Sequence, residues 1–157
     1  MTTVQLTQAD LPPRLVTPGV LNHDAIDAFT HGQCHALAIA LGEALDAPLA
    51  AVVAWEYKYD DQWEDIANGG ADLGVLAEVW HHVVVVLDDD RFLDATGVRS
   101  CEEVLFECGA TDPDLFEIVP VTADQLTALH RFGGGVAPDV EVARTFVPAV
   151  LERYLGA

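Results

Sequence analysis

Twelve consecutive residues, Cys34–Leu45, carry a single formal charge, that of Glu43. Cys34, Ala38, Leu41 and Leu45 repeat at helical spacing, and Leu37, Ala40 and Ala44 keep a second face apolar. The helix they form must therefore be buried nearly all round, so other elements have to cover it on several sides. A chain of 157 residues is long enough to supply that cover within one domain. Its content of 51 % hydrophobic and 21 % charged residues is that of a globular protein rather than a disordered one.

The remaining patterns show what surrounds the helix. Residues 1–21, with Pro12-Pro13 and Pro18-Gly19, read as an extended arm without regular structure. Asn22 caps a short helix to 29, and Thr30 with Gln33 forms a capping box for the central helix, which runs to about 46 and stops at Pro48. Residues 49–57 read as a strand, and 58–76, containing Asn68-Gly69-Gly70, as a long loop with room for one helical turn. Two more strands, 79–87 and 91–95, flank Asp88-Asp89-Asp90 and form an antiparallel hairpin. A box at Ser100 and Glu103 opens a helix to about 108, 115–121 is a strand, and a box at Thr122 and Gln125 opens a helix to about 131. Gly133-Gly134-Gly135 breaks it, and Asp139 caps a last amphipathic helix carrying Val142, Phe146, Val150, Leu151 and Leu155, with Pro148 placed to kink it. The expectation is a single α+β domain over 1–157, in which a central cysteine-bearing helix packs on an antiparallel β-sheet.

Charge narrows the function. Asp and Glu number 26 against 7 Lys and Arg, a net charge of −19, which opposes binding to nucleic-acid phosphates or anionic membranes. The longest apolar stretches, 36–41 and 49–55, fall well short of the roughly 18 residues of a membrane span. Met1-Thr2-Thr3-Val4-Gln5 lacks the basic start and apolar centre of a secretory signal, which points to the cytoplasm. Three cysteines cannot build a disulfide framework and read as reduced thiols.

One of those thiols, Cys34, opens the apolar helix. Helix N-termini stabilise thiolates through unpaired N–H groups and the helix dipole, so Cys34 is the candidate nucleophile. A histidine base and an orienting carboxylate complete such a site, and the 79–95 hairpin offers both. With a three-residue turn at Asp88-Asp89-Asp90, Val84 faces Asp94 and His82 lies one diagonal away on the same face; with a two-residue turn, His81 shares that face instead. His82 is preferred because it begins the continuous apolar strand. The Cys34 N–H and the Gln33 side chain are candidate oxyanion donors, although a Gln33 that closes a capping box is not free for that role. His31 and His35 flank the thiol as local hydrogen-bonding residues or as tuners of the thiolate. A second chemistry is zinc, for which His31, Cys34, His35, His81 and His82 are suitable ligand types, though no Cys-x-x-Cys pair accompanies them. No cofactor is expected. Cys101 and Cys108 read as packing thiols, and Asp60, Asp61, Glu64 and Asp65 as a solvated loop that suits a basic substrate.

The run Gly32-Gln33-Cys34-His35-Ala36-Leu37-Ala38, the strand start His82-Val83-Val84-Val85 and the partner strand Phe92-Leu93-Asp94-Ala95-Thr96-Gly97 together resemble the papain-like superfamily. The resemblance is to its compact transglutaminase-like and bacterial toxin or peptidase branches, and it covers residues 30–97. It implies a papain-like core with Cys34 as nucleophile, His82 as base and Asp94 as orienting acid. It also implies acyl transfer on a peptide or protein amide. His35 stands where many papain-like enzymes carry an aromatic residue. The competing reading is a non-catalytic interaction module on the same fold, with the acidic surface as its working part.

Overall fold

The computed structural model describes residues 2–54, 68, 72–108 and 116–157. Strands β1 (Val4–Gln8) and β2 (Leu11–Val16) are followed by helices α1 (His23–Thr30) and α2 (Cys34–Leu45), then β3 (Leu49–Ala54). Next come α3 (Leu73–Val79), β4 (Trp80–Asp88), β5 (Arg91–Asp94), β6 (Gly97–Arg99) and α4 (Cys101–Glu107). The chain ends with β7 (Phe116–Val121), α5 (Ala123–Ala128), a 3-10 turn over Leu129–Phe132, and α6 (Val140–Leu155). β3 to β7 form one antiparallel sheet in the order β6-β5-β4-β3-β7, and β1 pairs with β2 in a separate hairpin. The architecture is α+β.

Both faces of the five-stranded sheet are covered, which accounts for the nearly unbroken apolar runs of β3 and β4. Ala51, Val53, Val83, Val85 and Leu93 share one core with residues of α1, α2 and α6. Ala50, Val52, Val84 and Phe92 form a second cluster with Val104 of α4. All nine residues from 34 to 42 are buried, as the two apolar faces of α2 require. Between α1 and α6, Phe29 meets Phe146 edge-on at 5.1 Å. No helix among the described residues is long and apolar enough to cross a membrane.

Several local expectations are corrected. The proline-rich arm is a β-hairpin: among the described residues β2 is paired only with β1, so the missing N–H groups of Pro12 and Pro13 interrupt no two-sided ladder there. Its turn uses Asp10 at φ 57°, a left-handed conformation that Asp tolerates. Val79 ends a helix rather than starting a strand, because Asp72 accepts the Gly74 N–H (2.8 Å) and caps α3. β6 was not expected. Residues 55–57 of the strand expected over 49–57, most of the 58–76 loop and residue 115 lie outside the described residues. The capping boxes at Ser100 and Thr122 are both formed, and Asn22 and Asp139 cap α1 and α6.

The Thr30–Gln33 capping box does not form. Thr30 is the last residue of α1 and its hydroxyl donates to Ile26 O at 2.6 Å, while Gln33, buried at the start of α2, makes no capping bond. Its amide nitrogen donates to the carbonyls of Thr7 (2.8 Å) and Ala137 (3.4 Å), and its oxygen accepts the Asp139 N–H at 3.0 Å. One side chain thus ties β1, the approach to α6 and the head of α2 together. Both of its N–H groups are committed to carbonyls, so Gln33 is a tether and is not free to serve as an oxyanion donor. Gln33→Ala should remove the side-chain partner of these three part-buried backbone groups and lower the unfolding free energy by about 3 kcal/mol in urea titration. Gln33→Glu should cost a similar amount, because a carboxylate cannot donate to the two carbonyls.

Candidate active site

Cys34 is presented by a junction that only glycine allows. Gly32 has φ 137°, and a Cβ there would lie 2.7 Å from the Ala9 nitrogen. The chain can therefore turn tightly against the end of β1 and start α2 two residues later. The first helical bond runs from Leu37 N–H to Gln33 O (3.2 Å), so the N–H groups of Cys34, His35 and Ala36 lie ahead of it at the positive end of the helix.

The hairpin reaches the expected pairing by a different route. Asp88 pairs with Arg91, which leaves a two-residue turn, and a bulge follows before Val86 pairs with Phe92 and Val85 with Leu93. A two-residue turn alone would have put His81 on the face of Asp94. The extra residue, Leu87, shifts the register by one and restores His82 to it. His82 Nε2 lies 2.7 Å from Asp94 Oδ2, with both side chains buried. His81 sits in a second bulge, between the Val52–His82 and Val53–Trp80 pairs, and is exposed with its ring 5.2 Å from Phe116.

Asp94 is held on every side. Its Oδ1 accepts the Thr96 N–H (2.9 Å) and hydroxyl (2.7 Å), and its Oδ2 is shared by His82 and the guanidinium of Arg99. Arg99 is itself buried and reaches Glu107 with its other terminal nitrogen. The turn after Asp94 is pinned by Tyr154 of α6, whose hydroxyl donates to Ala95 O at 2.8 Å and whose ring packs over Gly97. Thr96 and Arg99 were missed in the sequence. A hydroxyl two residues after an Asp is a turn signal, and a cation five residues after it is a notable placement in a chain with only 7 Lys and Arg.

Burial and charge act on these groups in opposite directions, and charge prevails. Burial pushes the Cys34 thiol up, yet the neighbouring imidazoles of His35 and His82 lower it to about 6. Burial also pushes His82 down, but its bonds to Asp94 and Cys34 raise it to about 10. Asp94, raised by burial, is brought to about 2 by His82, Thr96 and Arg99. Cys108 supplies an internal contrast, since burial drives that thiol up to about 11. Cys101 is raised as well, first by burial and then by Asp90 and Glu117.

Two adjoining clefts meet at this group. One, of about 470 Å³, is lined by Cys34, Trp80, Asp10 and the Gly133–135 loop; the other, of about 200 Å³, by His82, Asp94, Thr96, Arg99 and Glu107. Thr30, His31 and His81 border both. His31 donates from Nδ1 to Asp27 O (3.0 Å) and is exposed. Among the described residues, no three His, Cys, Asp or Glu side chains converge as a metal site would require. The acidic group at Asp60, Asp61, Glu64 and Asp65 lies outside the described residues. In comparisons with known proteins, no family model, no curated protein and no solved structure matches the chain.

Proposed function

We propose that this protein is a thiol-dependent hydrolase or acyltransferase acting on a peptide or protein amide through Cys34, His82 and Asp94. The observation that carries the reading is the buried His82–Asp94 pair, 2.7 Å apart and electrostatically coupled to a thiol lowered to about 6 that itself lines a cleft. The papain-like resemblance supports the same roles, with α2 as the central helix carrying the nucleophile beside an antiparallel sheet carrying base and acid.

In this mechanism Asp94 binds Nε2 of His82, which leaves Nδ1 as the ring nitrogen that exchanges protons at the reacting centre. The Cys34 thiolate attacks the amide carbon; a C–S bond forms and the carbonyl π pair moves to oxygen. That oxyanion is stabilised by the Cys34 N–H at the head of α2, since the Gln33 amide is engaged elsewhere. The His82 imidazolium then gives its proton to the amide nitrogen, the C–N bond breaks, and a thioester remains on Cys34. Water or an amine, deprotonated by His82, attacks the thioester and returns the thiolate. Asp94 keeps the ring oriented and stabilises its charged form, and Arg99 keeps Asp94 ionised. A net charge of −19 matches a basic substrate, and the reducing cytoplasm would keep the three free thiols reduced.

The active ion pair is populated between the lowered value of Cys34 and the raised value of His82. Alkylation of Cys34 by iodoacetamide, followed by peptide mass, should therefore rise through about pH 6. At pH 7 it should label Cys34 before Cys101 or Cys108, whose thiols are raised. His82→Ala should move the midpoint of the Cys34 profile upward, and an unmoved midpoint near that of a free thiol in both proteins would sink the triad. Amide turnover should fall again as His82 deprotonates near pH 10, because the acid for the leaving amine is then lost. Once a peptide amide that turns over is in hand, His82→Ala should slow it by about a hundredfold or more, measured as kcat at pH 7.

A further inference from the structure

Cys34 has a second histidine against it that the triad does not use. His35 is fully buried, and its Nε2–H donates to Val136 O at 2.9 Å. A carbonyl can only accept, so this bond fixes the proton on Nε2. The other ring nitrogen, Nδ1, is buried and has no hydrogen-bond partner among the described residues. An unpaired buried ring nitrogen is costly unless it has a task.

The surroundings hold the ring in place. Trp80 packs against it at 5.3 Å and donates its indole N–H to Gly134 O at 3.1 Å. The segment from Gly134 to Val136 thus accepts a bond from both rings, and that same loop with Trp80 lines the Cys34 cleft. The space is tight, since a Cβ on Gly134 would come within 2.8 Å of Ala77 and one on Gly135 within 3.2 Å of Trp80.

We propose that His35 is a positioning residue for the nucleophile: anchored through Nε2, it turns Nδ1 to the Cys34 sulfur and shares the thiol proton with it. The thiolate is then held from two sides, by His82 of β4 and by its own neighbour on α2. The inference rests on Cys34 being the nucleophile, and the lowered thiol is consistent with it. The charged groups around the sulfur are His35 from α2, His82 from β4, and behind His82 the Asp94 of β5 and Arg99 of β6; Asp10, His31 and His81 border the cleft.

The discriminating variant is His35→Gln. A glutamine places an N–H donor where Nε2 stands and so can keep the bond to Val136, but it has nothing at the position of Nδ1. The Cys34 alkylation profile should shift upward by about one pH unit in His35→Gln and in His82→Ala, and further in the double variant. A His35→Gln profile that coincides with wild type while His82→Ala moves would overturn the role of His35 and leave the triad standing. Unmoved profiles in both would overturn the triad reading as well. A second measurement needs no variant: the ¹⁵N resonance of His35 Nδ1 in the wild-type protein should shift when Cys34 is alkylated, and a static resonance would also overturn the proposal.

Discussion

The candidate site depends on one extra residue in a strand. The β4–β5 turn by itself sets a register that would put His81 on the face of Asp94, and Leu87, bulged out between the Val86–Phe92 and Asp88–Arg91 pairs, cancels it. Because side chains alternate along a strand, this single insertion decides which histidine is buried against the acid and which is left exposed. It also keeps Val83 and Val85 in the core shared with α2, and Val84 in the cluster under α4. A slip of β5 by one residue would therefore move Leu93 out of the first core and Phe92 out of the second as well as separate the pair. Core packing and site geometry are fixed by the same register, so the fold's own stability holds the site in place.

Charges alternate from the Cys34 sulfur outward in the proposed active state. Thiolate, imidazolium, carboxylate, guanidinium and carboxylate follow one another through Cys34, His82, Asp94, Arg99 and Glu107, and only Glu107 at the end is largely exposed. An isolated buried charge would cost several kcal/mol, and each member here is offset by neighbours of opposite sign. Removing an inner member leaves an uncompensated charge, so the line holds together as a unit. Cys108 lines the adjoining cleft without a histidine against it, and burial acts on it almost unopposed. Two thiols on the walls of adjoining clefts thus titrate in opposite senses, and the difference lies in the imidazoles around Cys34.

What was legible in the sequence follows from the range of the forces involved. Helix caps at Asn22, Ser100, Thr122 and Asp139 are local, each read over three residues, and they formed. The all-round burial of α2 and the strands of the sheet other than β6 followed from periodicity, which reports burial directly. Thr30 and Gln33 show where local reading failed. They match a capping box, but the Gln33 amide has partners at Thr7, Ala137 and Asp139, contacts across up to 106 residues that no short window contains. The N-terminal hairpin was hidden by its prolines, which are poor in a central strand and harmless in one paired on a single side. The bulge at Leu87 was not visible either, and the correct histidine was reached from an incorrect turn length.

The chain's acidity sharpens the question of how a thiolate at Cys34 is sustained. A net charge of −19 opposes one more negative charge at Cys34. Most of that charge is on exposed side chains, and exposed charges more than about 8 Å away are largely screened at physiological salt. At contact distance the balance reverses. A pair of opposite charges 4 Å apart is worth about 4 kcal/mol at an effective dielectric of 20, against about 1 kcal/mol in bulk water. A few buried partners therefore outweigh a large but distant and screened surface charge. In the proposed enzyme this asymmetry separates two roles: the acidic exterior would attract a basic substrate from a distance, while His35, His82 and the head of α2 act on the thiol from within. The two functions do not compete, because solvent separates them.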